Sequence, residues 1–166
     1  MQTLAVGCGA GFSGDRVDVA APVVRTLIER GGPAALIFEN LAERTLATQQ
    51  LAKRANPLLG YEPLLELELR PVLADCLAHG IVIVSNFGAA NPAGAALLIQ
   101  RLAQELGLPA PRIAVVSGDD LSNAQGQVIV QDHLKEILTL HVLSATMSTR
   151  VRLKLPIHFG PVRKSW

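Results

Sequence analysis

Aromatic residues are scarce in this chain, 4% of 166, although 49% of the side chains are hydrophobic. A core made almost without them has to be packed from Leu, Ile, Val and Ala, a composition that suits buried parallel strands covered by helices. Cysteine is limited to Cys8 and Cys76. Two are too few for a disulfide framework, and a reduced compartment is the simpler expectation. A charge excess is missing as well: the net charge is +1, which gives no global field for nucleic acid or an acidic membrane. No apolar run approaches the ~20 residues that span a bilayer. The N-terminus lacks the basic start and unbroken apolar run of a signal peptide, since glycines and then Asp15 interrupt it. The expectation is a cytoplasmic protein with no nucleic-acid or membrane partner, long enough for a domain with a sizeable core.

What is present is an alternation of short apolar runs and helical stripes. Leu4 to Gly7 reads as a strand, followed by Gly9, Gly11 and Gly14 and then by Asp15-Arg16 at the start of a helical pattern. Apolar positions at Val17, Ala20, Val24, Leu27 and Ile28 carry that helix to Gly31, with a kink expected at Pro22. Ala34 to Phe38 is the second strand, and Leu41 to Ala55 the second helix, made of good helix formers. A helical stripe from Pro63 to Leu77 is bent at Pro71. Ile81 to Val84, four β-branched residues in a row, is the clearest strand. Asn91 and Pro92 stand as N-cap and first residue of the next helix, which Gly107 stops. Ile113 to Val116 is the fourth strand. Four strand–helix units with short links predict an α/β fold: a mostly parallel sheet covered by helices, Rossmann-like and three-layered, over residues 1–121. Residues 122–166 are an extension of different character, with six basic residues against two acids, where the preceding part has nine against twelve. A helix over Asp132 to Val142 is expected there, and the end is either an edge strand or a mobile, irregular tail. Pro156, Gly160 and Pro161 favour the tail, and the alternation of Val151, Leu153, Leu155 and Ile157 favours the strand.

The polar residues are distributed unevenly between the two edges of such a sheet. The helix-to-strand links, such as Gly31-Gly32-Pro33 and Leu108 to Pro111, carry little chemistry. The strand-to-helix links carry Asp15, Arg16, Glu39, Asn40, Ser85, Asn86, Asn91, Ser117, Asp119 and Asp120. In a parallel sheet these converge on the edge where ligands bind. Gly9, Gly11 and Gly14 serve either a tight turn or an anion. Arg16 serves either a ligand phosphate or carboxylate, or a local ion pair, and Asp15 is either a catalytic carboxylate or an acid that favours a helix start. Glu39 ends an apolar run, where a carboxylate is a candidate for acid/base work. Glu43 and Arg44, in the first turn of the second helix, are ligand contacts or a solvated pair. Asn86 and Asn91 are candidates to hold a carbonyl oxygen, with Asn91 also a cap. Asp119 and Asp120 are candidate substrate contacts; they lie near no His or Cys cluster of ligand spacing, so no metal site is expected, a magnesium ion shared with substrate oxygens being the weaker alternative. One alternative is dinucleotide binding: Gly9 to Gly14 fits G-x-G-x-x-G, and Glu39 follows at the distance of a ribose contact. Against it, Asp15 puts a carboxylate where a pyrophosphate would sit.

Five blocks in order, GAGFSGDR (9–16), FENLAERTLA (38–47), NPLLGYEPLLE (56–66), SNFGAANP (85–92) and VVSGDD (115–120), resemble the N-terminal part of the acyclic terpene utilisation (AtuA-like) proteins. The likeness runs to about residue 121. It implies a role in breakdown of acyclic terpenes such as citronellol and geraniol, alongside acyl-CoA carboxylases. It also puts weight on Gly11, Gly14, Asp15, Arg16, Glu39, Glu43, Arg44, Asn86, Asn91, Asp119 and Asp120 as motif positions. Two expectations from different classes follow. One is an enzyme acting on a branched acyl-CoA or related acid, with Glu39 as acid or base; its cofactor is unspecified. The other is a non-catalytic binding or assembly domain that forms a homo-oligomer or docks on a carboxylase.

Overall fold

Glycines inside the first strand explain how the sheet and its helices come close. In the computed structural model, which describes residues 3–118, 120, 121, 124, 126 and 128 and the backbone of 149–153, β1 spans Ala5–Ala10. Gly7 and Gly9 therefore belong to the strand, not to the loop after it. A Cβ on Gly7 would lie 2.4 Å from Val23 Cγ1, and one on Gly9 would lie 2.6 Å from the Phe38 ring. Their lack of a side chain lets the first helix and the neighbouring strand pack.

The remaining elements are α1 (Ala20–Arg30), β2 (Ala34–Phe38), α2 (Glu43–Ala55), α3 (Leu65–Leu69), α4 (Leu73–Ala78), β3 (Val82–Ala89), α5 (Pro92–Glu105), β4 (Ile113–Val115) and β5 (Thr149–Leu153). Several differ from the sequence expectation for identifiable reasons. The helix expected from Asp15 begins at Ala20, so Pro22 falls in its first turn, where its missing N–H costs nothing and no kink is needed. Pro71 breaks the Pro63–Leu77 stripe into α3 and α4. Strand β3 continues past Val84 through Ser85-Asn86-Phe87, because Phe87 alternates onto the core side and meets Phe38, with ring centroids 4.9 Å apart. Asn91 and Pro92 begin α5 as expected: the Asn91 side chain accepts the Gly94 N–H at 3.0 Å.

The sheet is mostly parallel, in the order β1-β2-β3-β5-β4. Strands β1, β2 and β3 pair in parallel, and β5 runs antiparallel between β3 and β4. Residues 149–153 thus form a strand inside the sheet and not at its edge. Between two open edges, both sides of its backbone are hydrogen-bonded. The helix expected at 132–142 and the end from residue 154 lie outside the described residues.

The core gathers on one face of the sheet. Leu36, Phe38, Ile83 and Phe87 pack there with Val24 and Leu27 of α1, Leu65 and Leu69 of α3, Leu73 and Cys76 of α4, and Ile99 and Leu102 of α5. Arg70, after α3, bridges Glu66 and Glu105 and ties α3 to α5. These four helices do not supply a layer on the opposite face. There the strand register aligns two rows, Val6–Ala35–Val82 and Cys8–Ile37–Val84. Val6 is 57% exposed, and Ile37 and Val84 are half-buried.

Candidate functional site

The parallel strands carry the chain to one edge, and a cavity of about 1000 Å³ opens above the ends of β2 and β3. Its lower wall is apolar, from Ile37 and Val84 on the face of the sheet that points away from α1. Leu41 and Leu46, at the start of α2, and Val116, after β4, complete that wall. The polar lining comes from Glu39, Glu43, Ser85, Asn86, Ser117 and Gly118. The start of α2 is set by Thr45, whose hydroxyl accepts the Ala42 N–H at 2.6 Å. The far end of that helix is tied to the turn before α5 by Lys53, which donates to the Ala90 carbonyl at 2.6 Å.

Glu39 and Asn86 are a pair. Alternation along β2 turns Glu39 to the same side as Ile37, and Asn86 stands one strand away, on the side of Val84. Asn86 Nδ2 donates to Glu39 Oε1 at 2.5 Å, and the Leu41 N–H donates to the same oxygen at 3.2 Å. The other end of the Asn86 amide is held too, because Oδ1 accepts the Asn40 main-chain N–H at 2.8 Å. That fixes which end of the amide faces the carboxylate. Glu39 itself is exposed to the cavity.

Asn40 turns the opposite way, into the helical layer, where it is 1% exposed. Its Nδ2 donates to both oxygens of Glu68 in α3, at 3.0 and 3.2 Å. Burial pushes the Glu68 carboxyl up to about 7; repulsion from Glu62 adds to this, and the Asn40 hydrogen bond opposes it. Glu62 and Glu68 were not among the sequence candidates. In the run Leu64-Leu65-Glu66-Leu67-Glu68-Leu69 nothing marks Glu68 as buried and Glu66 as only half-buried, and the difference arises only from where α3 docks.

The other sequence candidates are placed elsewhere. The loop after β1 is closed on itself: Asp15 Oδ2 accepts the Gly11 N–H at 3.0 Å and Asp15 Oδ1 the Arg16 N–H at 2.8 Å. Those two donors, Gly11 first, hold the Asp15 carboxyl below the usual range. Arg16 forms a two-pronged pair with Asp18, 2.6 Å at each contact, which raises its own value. Gly14 has φ +86°, the left-handed region that favours glycine. Gly9 packs against Phe38 inside β1. Arg44 is exposed on α2 and does not line the cavity. Asn91 uses its amide in the fold, donating to the carbonyls of Pro57 and Leu59 at 3.0 and 2.9 Å while it caps α5. Asp120 is exposed, and Asp119 lies outside the described residues. The cavity thus brings together Glu39, Asn86 and Glu43 from the candidate set.

Among the described residues no group of His, Cys, Asp and Glu is placed to hold a metal ion, and no helix is long and apolar enough to cross a membrane. Cys8 and Cys76 are both free. The dinucleotide alternative loses its geometric basis. Its first glycine lies in a strand, its Gly11 N–H is taken by Asp15, and the loop does not lead directly into a helix, since α1 begins only at Ala20.

No curated protein and no solved structure matches the chain. A family model does, that of the acyclic terpene utilisation family protein AtuA, over residues 4–152. The match runs from the start of β1 into β5, well past the five blocks that end at Asp120. The chain belongs to the AtuA family of acyclic terpene utilisation proteins.

Proposed function

We propose that the cavity over β2 and β3 is the working site of an enzyme of acyclic terpene utilisation that acts on a branched acyl-CoA or a related acid. The observation that carries this reading is the Glu39–Asn86 pair: an oriented carboxylate at the mouth of a cavity whose wall is aliphatic. An apolar wall with a few placed polar groups fits a ligand with a hydrocarbon body and one reactive polar end. Glu39 Oε2 is the oxygen left to face that end, and a carboxylate within reach of an acidic C–H or a carbonyl can move a proton. Asn86 orients Glu39, Ser117 supplies a hydroxyl, and Glu43 stands at the rim. Asn91, engaged in the fold, has no share in this reading.

The test begins with a thermal-shift screen of the full chain against CoA esters of branched acids, the free acids and NAD. Stabilisation by an ester or acid, absent with NAD, is the expected pattern. Turnover of the stabilising compound should then be abolished in Glu39→Gln, with a melting temperature close to the parent's. Undiminished turnover by that variant would overturn the assignment.

A second reading, a non-catalytic assembly domain, is favoured by the exposed side of β1 that faces away from α1, where Val6 is 57% exposed beside the exposed Cys8. A homo-oligomer or a carboxylase partner would cover it. Light scattering of the chain alone, and mixed with a biotin-dependent carboxylase, separates the readings: a monomer that binds no carboxylase but turns over the ester supports only the enzyme.

A further inference from the structure

Behind the cavity the buried polar atoms do not balance. Asn40, Glu62 and Glu68 are 1%, 3% and 1% exposed. One nitrogen, Asn40 Nδ2, is shared between both oxygens of Glu68. The other end of the same amide, Asn40 Oδ1, is buried without a hydrogen-bond partner. A buried acceptor left without a donor is costly, and a buried carboxylate served by one divided donor is more so. One proton would settle both.

The charged groups acting on Glu68 make the proton more welcome. Glu62 precedes α3, and Asp15 comes from the loop after β1; both are acidic, and both disfavour the ionised form. The Arg70 guanidinium, just after α3, is turned to Glu66 and Glu105. From α4 the core receives the Cys76 thiol, which burial pushes up to about 12.

We propose that Glu68 is a proton-bearing positioning residue: as a neutral acid it closes a ring of two hydrogen bonds with Asn40, its O–H donating to Oδ1 and its carbonyl oxygen accepting from Nδ2. The terminal torsions of Asn and Glu are broad, so a small turn of each converts the shared contact into the ring. The proton comes from solvent and returns to it. When it leaves, two carboxylate oxygens repel Oδ1, the amide turns, and the shared contact returns. The ring holds Asn40 in place, and the Asn40 main-chain N–H holds the Asn86 amide with its Nδ2 toward Glu39. Only this last consequence rests on the cavity being the working site; the acid–amide ring does not.

Infrared spectroscopy of the ligand-free full chain tests it, because an un-ionised carboxylic acid has its own carbonyl band. The expected result is such a band near neutral pH that fades toward alkaline pH and is missing in Glu68→Gln. Gln keeps the size of the neutral acid and a donor for Oδ1, so this variant should fold. Its Asn40 and Asn86 side-chain amide NMR signals should stop moving with pH. Glu62→Gln removes a repelling carboxylate, so it should keep the band and shift its midpoint to lower pH; this holds the test open if Glu68→Gln does not fold. Absence of the band, its survival in Glu68→Gln, or an unmoved midpoint in Glu62→Gln would overturn the proposal. None of these readouts depends on a substrate, so failure of the proposed enzyme activity would leave them standing.

Discussion

Gly9 shows how one residue type answers two different questions. In the sequence it is the first glycine of a phosphate-loop pattern; in the fold it is the place where the Phe38 ring lies against β1. Phe38 is 1% exposed and packed at a tilt against Phe87, so it has little room to move away. Gly9→Ala should therefore destabilise the protein by ~1–3 kcal/mol, as overpacking does. A urea midpoint equal to the parent's would show that the ring gives way. Glu68 carries the opposite lesson. It looks like any acid on an amphipathic helix, because depth of burial is decided by docking and not by local spacing. Its folded-state value, about 7, lies above the usual 4.5, so the folded chain binds the extra proton between those two values. Stability from this group is fully present below about 4.5 and is lost as the pH rises through about 7. Melting temperatures across that interval should fall with rising pH in the parent and fall less in Glu68→Gln. Glu39 and Asn86, by contrast, were legible at once, since polar residues at the end of an apolar run in a parallel sheet have few other places to go.

At the scale of elements, prolines and caps were the readable marks. Asn91-Pro92 starts α5 where cap chemistry requires, and Pro71 separates α3 from α4. The start of α1 was misplaced because Asp15 resembles a first-turn acid, while its carboxylate in fact closes the preceding loop. Asn91 joins three elements: it caps α5 and ties down the loop after α2 through the carbonyls of Pro57 and Leu59. Asn91→Ala should cost about 2 kcal/mol or slightly more, the upper end for a lost cap, because two further hydrogen bonds go with it. Asn91→Asp keeps the acceptor for the Gly94 N–H and loses both donations, so its denaturation midpoint should fall between the parent and Asn91→Ala. If the two variants are equal, the loop bonds contribute nothing measurable.

For the whole molecule, the α/β class and the parallel pairing follow from alternation, but the position of β5 does not. A strand that pairs with β3 across more than 60 residues of sequence, Ser85 with Val151, leaves no local trace. Its removal has a predictable effect. A chain ending at Ser148 presents the outer edge of β3, whose sequence is largely apolar, and unpaired edges of that kind recruit other strands. Light scattering should find such a chain in larger species than the parent; an unchanged mass would mean that β3 does not need this neighbour. The strand order also has a meaning in time. During synthesis β1, β2 and β3 can pair in the order in which they are made, each on the edge left by the last. Then the sequence stops cooperating: the next strand to be made, β4, is not the one that pairs with β3. At ~5–20 residues per second, the ribosome leaves the edge of β3 waiting on the order of several seconds for its partner. For that interval the nascent chain is a half-built sheet with a bare margin, and whatever attends it on the ribosome has that margin to guard.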